Sequence, residues 1–157
     1  MRAASRFAAA GLRRALYPLL ALPTGIACLA LIVVGRHEAA AALQRGLLRR
    51  LLRLQVADST AARTVAHTLV SLPVNVVAFA VAGYVWLLPV LNLGYPLRGD
   101  TTPESLQDAW GGPTLAGAWA VHAIGGTLIF LLVGLPILSG VAWLQGRLAR
   151  AMLGARR

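Results

Sequence analysis

Two runs of the chain, Val65 to Leu91 and Leu115 to Leu144, contain no Asp, Glu, Lys or Arg, and a third apolar run extends from Ala15 to Gly35. A helix needs ~20 apolar residues to cross the ~30 Å hydrocarbon layer of a bilayer. The pattern therefore predicts three membrane spans, at about 15–35, 65–91 and 115–144. Between the first two, Leu43, Leu47, Leu48, Leu51 and Leu54 fall on one side of a helix, and Arg45, Arg49, Arg50 and Arg53 fall on the other. That spacing predicts an amphipathic helix of interfacial type over about 39–54. The tail, 145–157, repeats the arrangement, with Leu148 and Met152 opposite Arg147 and Arg150. The loop 92–114 contains Thr102-Pro103-Glu104, a helix start with Thr102 as cap and Pro103 in the first position, and Gly111-Gly112 as a stop. The fold class is all-α: a small polytopic transmembrane helical bundle with interfacial amphipathic helices, in a single membrane domain over 1–157.

Charge orients the spans. All fifteen basic side chains are arginine and the net charge is +10, but the arginines flank apolar runs instead of a foldable soluble face. Anchoring to anionic lipid explains them better than nucleic acid does. Arginines dominate 36–63 and the tail, whereas 92–114 sets Arg98 against Asp100, Glu104 and Asp108. The positive-inside rule places the acidic loop outside and the two basic segments on the cytoplasmic leaflet of a bacterial inner membrane. Arg45, Arg49, Arg50, Arg53, Arg147 and Arg150 are the expected lipid-surface residues.

The first run conflicts with this rule, because arginines stand on both sides of it. Either it crosses with the N-terminus outside, which is the favoured reading, or Pro18, Pro23 and Gly25 break it into a re-entrant path. It reads as uncleaved, since no Ala-x-Ala site with a polar start follows. Cys28 lies inside the run, has no second cysteine to pair with and lacks a lipoprotein lead-in.

Two echoes suggest an ancient duplication. An offset of fifty residues places Leu19-Leu20-Ala21-Leu22-Pro23 on Leu69-Val70-Ser71-Leu72-Pro73. A second echo joins Leu43-Gln44, with Leu47, Arg49 and Leu52, to Leu144-Gln145, with Leu148, Arg150 and Leu153. The chain also carries Arg14-Ala15-Leu16-Tyr17 leading into Leu22-Pro23, Trp110-Gly111-Gly112-Pro113 before Trp119-Ala120-Val121-His122, and a closing Arg147-Leu148-Ala149-Arg150-Ala151-Met152-Leu153-Gly154. In these stretches it resembles the sensor domain family of actinobacterial integral membrane proteins that often precede histidine kinases. The resemblance implies two helical hairpins and a sensing role. This chain departs from that pattern by passing from Val34-Gly35 directly into the basic segment, without the second span of the first hairpin, and no kinase domain follows.

Candidate chemistry is sparse. Glu104 and Asp108 stand one helical turn apart and could share a cation, with Asp100 joining them, although exposed loop carboxylates are ordinarily just solvated. Trp110 and Trp119 straddle the point where the loop re-enters the membrane, where anchoring alone accounts for them. His122 is an ionisable group within an apolar span, a stimulus candidate by default, against the plain reading of an imidazole bonded to a backbone carbonyl or to Asn75. Asn75 should seek an interhelical hydrogen bond, and Ala116, Ala120, Gly125, Gly126, Gly134 and Gly140 should let helices approach closely. No His or Cys cluster has metal spacing, no nucleotide-binding glycine pattern occurs, and no nucleophile has a base beside it, so no metal, cofactor or catalytic residue is expected.

The expected function is a small sensor-like signalling module that relays an envelope or membrane stimulus to a separate partner. Anionic membrane lipids, a histidine kinase or other membrane protein, and a second copy of the chain are the expected partners. The alternative is a structural or accessory subunit of a transporter or other membrane complex. A weaker third reading is a homo-oligomeric channel or carrier.

Overall fold

The computed structural model describes residues 2–97 and 101–154, with side chains from residue 9 onward. Arg98, Asp100, Arg156 and Arg157 lie outside the described residues, as do the side chains of Arg2 and Arg6. Helix α1 is Arg2–Val33 and α2 is His37–Leu47, which runs on into one π-helical turn, Leu48–Leu52. Helix α3 is Ala61–Leu93, followed by a 3-10 turn at Tyr95–Leu97 and the short α4, Pro103–Gln107. Helix α5, Leu115–Ile129, passes through a second π-helical turn, Phe130–Gly134, into α6, Leu135–Leu153. No strand occurs among the described residues.

Among the described residues, three segments are long and apolar enough to cross a membrane: Ala9–Val33, Ala61–Leu93 and Leu115–Leu153. Only 22% of the α3 window is buried, so most of its apolar surface needs cover from lipid or from another chain. The helix that carries the third apolar run does not stop at Leu144 but continues through the basic residues to Leu153. The first run is one unbroken helix despite Pro18 and Pro23, so the chain makes no re-entrant break there.

Helix α1 ends in a Schellman turn. Gly35 takes φ +76°, its N–H donates to the Ile32 carbonyl at 2.9 Å, and the Arg36 N–H donates to the Leu31 carbonyl at 2.8 Å. A side chain at residue 35 would meet no neighbouring atom, so conformation alone opposes one. Gly35→Ala should therefore cost about 1 kcal/mol, read as a lower melting temperature of the full chain in detergent.

Contacts divide the chain into two compact units, Met1–Ala82 with Ile137–Arg157, and Gly83–Pro136. In the first, α2 turns back along α1. The Cys28 thiol approaches the Ala40 carbonyl at 3.5 Å, and Leu48 shares a core with Tyr17 and Ala21. Ala40 and Ala41 are buried, which lets the two backbones come close. The apolar side of the basic segment thus meets protein. Leu48 is fully buried, Leu47, Leu51, Leu52 and Leu54 pack against the same core, and Leu43 alone of the predicted stripe is exposed. Arg53, with φ 54°, ends the helical path, and the chain returns to hydrogen-bond Ala57 N–H to the Gly154 carbonyl.

In the second unit, Trp86 and Phe130 pack with ring centroids 4.9 Å apart. Two of the small residues expected to permit close approach do so here, Gly126 against Asn92 and Gly134 against Val85. Thr102 caps α4 by accepting from the Ser105 N–H at 3.3 Å, and Pro103 opens that helix, as the sequence predicts. Thr114 caps α5 in the same way, accepting from the Gly117 N–H at 3.1 Å.

Candidate functional site: a polar chamber between four helices

Helices rich in Leu, Val and Ala ordinarily bury only apolar side chains. The first unit instead buries Gln44, Thr64, His67, Thr68, Ser71, Asn75 and Gln145. Hydrogen bonds among them join four helices. The Asn75 amide of α3 donates to the Ala21 carbonyl of α1 at 3.3 Å, and its side-chain oxygen accepts from the Gln145 amide of α6 at 2.8 Å. The Gln44 amide of α2 donates to the Thr68 hydroxyl, which itself donates to the Thr64 carbonyl at 2.8 Å. Such bonds between apolar helices are worth on the order of 0.6–2 kcal/mol each.

These polar groups surround a small chamber of about 20 Å³. Three of its lining residues have a buried side-chain atom without a hydrogen-bond partner: Gln44 Oε1, Gln145 Oε1 and His67 Nδ1. A water molecule needs about 10–15 Å³ and two to four polar partners, so the chamber has the size and the chemistry to hold one. It is too small for an organic ligand of drug size.

The chamber explains the sequence echoes. On α1, Tyr17, Ala21 and Gly25 line it, and on α3 the residues exactly one offset of fifty later, His67, Ser71 and Asn75, line it too. Gln44 and Leu47 of α2 also line it, and so do their counterparts Gln145 and Leu148 of α6. Between α1 and α3, Asn75 meets both Ala21 and Gly25, and Leu72 also faces Gly25. Helix α2 is antiparallel to α1, and α6 is antiparallel to α3, with Asn75 beside Gln145 and Arg63 beside Gly154. Equivalent residues of the two hairpins thus converge on one polar centre. Gly25 stands where α3 has Asn75, so the polarity of the centre is one-sided.

The residues singled out from sequence lie elsewhere. Glu104 and Asp108 are exposed at the start and end of α4, and Trp110 is 80% exposed. Among the described residues, no three His, Cys, Asp or Glu side chains gather as a metal site would require. Trp119 Nε1–H donates to the Leu93 carbonyl at 2.9 Å, tying α5 to the end of α3. His122 Nδ1–H donates to the Ala118 carbonyl at 2.8 Å, and its ring stacks on Tyr95 with centroids 4.2 Å apart. Backbone bonding and stacking account for it. Of the basic residues, Arg45 pairs with Asp58 at 3.8 Å, Arg49, Arg50, Arg53 and Arg150 are exposed, and Arg147 lies over the Trp143 ring at 5.1 Å.

Sequence reading found Asn75 but passed over His67, Thr68, Ser71, Gln44 and Gln145 as site residues. Two signals were present: the four-residue spacing of His67, Ser71 and Asn75, which puts them on one helical face, and the recurrence of glutamine in both echoes.

No curated protein and no solved structure is matched by the chain. A family description does match, over residues 34–153. It takes in α2 through α6, and with them two of the three stretches that carried the resemblance. The Arg14-to-Pro23 stretch of α1 precedes it. On that match the chain belongs to the family described as "Putative sensor".

Proposed function

We propose that this protein is a sensor module of the bacterial cell membrane that relays an envelope or membrane stimulus to a separate signalling partner. Its family points to a sensing and non-catalytic role. The observation that carries the relay is the polar chamber, because its hydrogen bonds tie α1 and α3 to the two basic segments, α2 and α6. Helices joined through a few hydrogen bonds around a partly unsatisfied centre have a ready alternative: exchanging those partners shifts one helix against another. Fourteen of the fifteen arginines belong to the unit that contains the chamber, against Glu38 and Asp58 alone among acids. By the positive-inside rule the basic segments after α1, Arg36 to Arg63 and Arg147 to Arg150, lie on the cytoplasmic side, and the acidic loop faces outward. A stimulus reaching the helices from outside would thus be read out by exposed basic helices beside the cytoplasm.

Affinity capture of the tagged full chain from its native membrane in mild detergent, followed by mass spectrometry, tests this. A histidine kinase or transcriptional regulator recovered in stoichiometric amount, and depleted when Gln145 is changed to leucine, is the expected result. Recovery of a permease or an assembly complex instead would make the chain an accessory subunit and overturn the relay.

A further inference from the structure

A second cavity in the same unit, of about 170 Å³, opens between α1, the return after Arg53, and α6. Arg14 of α1 and Arg150 of α6 both line it, together with Ser139 and Trp143, and Leu54 and Ala142 supply apolar wall. Arg14 falls within the apolar segment Ala9–Val33, where a charge is costly unless it reaches an interface or a counter-ion. Among the described residues no carboxylate lies within ion-pair distance of Arg14 or Arg150. Arg147, stacked over Trp143, adds further positive charge beside the opening.

Two guanidinium groups, a hydroxyl and an indole around one concavity suit a phosphate, since the guanidinium fork matches phosphate oxygens and stays charged. The apolar wall and the half-exposed Trp143 suit a molecule that continues into hydrocarbon. The volume falls below the ~300 Å³ from which drug-sized ligands are usually enclosed, so only a headgroup would enter while the rest remained outside. We infer that this cavity binds the phosphate of an anionic phospholipid, with Arg14 and Arg150 as its paired ligands. The inference needs the chain to sit in a membrane but does not rest on the relay, and it adds to the diffuse attraction of surface arginines a discrete site that includes Arg14.

The test is native mass spectrometry of the full chain released from mild detergent, titrated with phosphatidylglycerol and with phosphatidylcholine. Wild type should retain phosphatidylglycerol preferentially. The R14Q/R150Q variant should weaken that retention by about tenfold or more, while R49Q/R50Q, which removes the same charge outside the cavity, should change it less than about twofold. Ser139→Phe, which fills the cavity and keeps both arginines, should reproduce the loss, and it serves if R14Q/R150Q does not fold. Equal losses in R14Q/R150Q and R49Q/R50Q would mean diffuse electrostatics and overturn the site, as would unchanged retention in R14Q/R150Q or in Ser139→Phe. Displacement of the lipid by millimolar inorganic phosphate would assign the cavity to a soluble anion and overturn the lipid.

Discussion

Replacing Asn75 with leucine is expected to destabilise the full chain in detergent by about 2–3 kcal/mol, measured as the free energy of unfolding. The side chain holds α1 and α6 at once, through the Ala21 carbonyl and the Gln145 amide. Interhelical hydrogen bonds among apolar helices are individually modest, averaging roughly 0.6 kcal/mol. The larger part of the cost is what remains behind: Gln145 is only 4% exposed, so its amide would be left buried without its protein acceptor. That reasoning makes a second prediction about the pair. Because removing both partners leaves no orphan, the N75L/Q145L double variant should cost at least about 1 kcal/mol less than the two single losses added together. Simple additivity would mean that the two amides do not depend on each other and would remove the chamber's claim to couple the helices. The same variants enter the partner-capture experiment, where lost coupling and lost folding are separated by the measured stability.

The second large effect is expected in the loop before α5. Gly112 donates its N–H to the Ala109 carbonyl at 2.8 Å, and a Cβ at this position would coincide with the Leu106 carbonyl and lie 3.0 Å from the Ala109 oxygen. Both obstacles are backbone, so no rotamer change relieves them. Gly112→Ala should cost about 1–3 kcal/mol and expose the segment between α4 and α5 to limited proteolysis. Gly125→Ala is the matched control, because nothing lies within 4 Å of a Cβ there; it should be neutral or slightly stabilising. Equal tolerance of the two substitutions would show that the tight turn after α4 is not required.

Much of the fold was legible because membrane helices follow simple rules. A charge-free run of more than ~20 residues has few stable fates besides a buried or spanning helix, so Val65 to Leu91 and Leu115 to Leu144 announce their helices without any knowledge of packing. The cap at Thr102 is local for a similar reason, since a hydroxyl before a helix reaches only its own first turn. The Leu43-to-Leu54 stripe was legible as a face, but what that face meets was not. An amphipathic helix looks the same in sequence whether its leucines lie on lipid or against Tyr17 and Ala21. The candidate residues of the loop drew attention because ionisable and aromatic side chains are conspicuous near a membrane boundary. Gln44, Thr68 and Ser71 are common residues whose significance comes from burial alone.

By itself, the sequence determined three apolar helices, the concentration of arginine around them, the acidic loop between α3 and α5, and the existence of two echoes at different offsets. Only the tertiary structure decided that those echoes are one repeat. The first hairpin closes through the short turn at Gly35, whereas the second has residues 83–136 inserted between its arms, so the offset grows from 50 between α1 and α3 to 101 between Gln44 and Gln145. Chain distance conceals that equivalence and packing restores it. Packing brings equivalent positions to a common centre whatever length of chain separates them, and here both halves carry a glutamine one turn from a leucine that lines it.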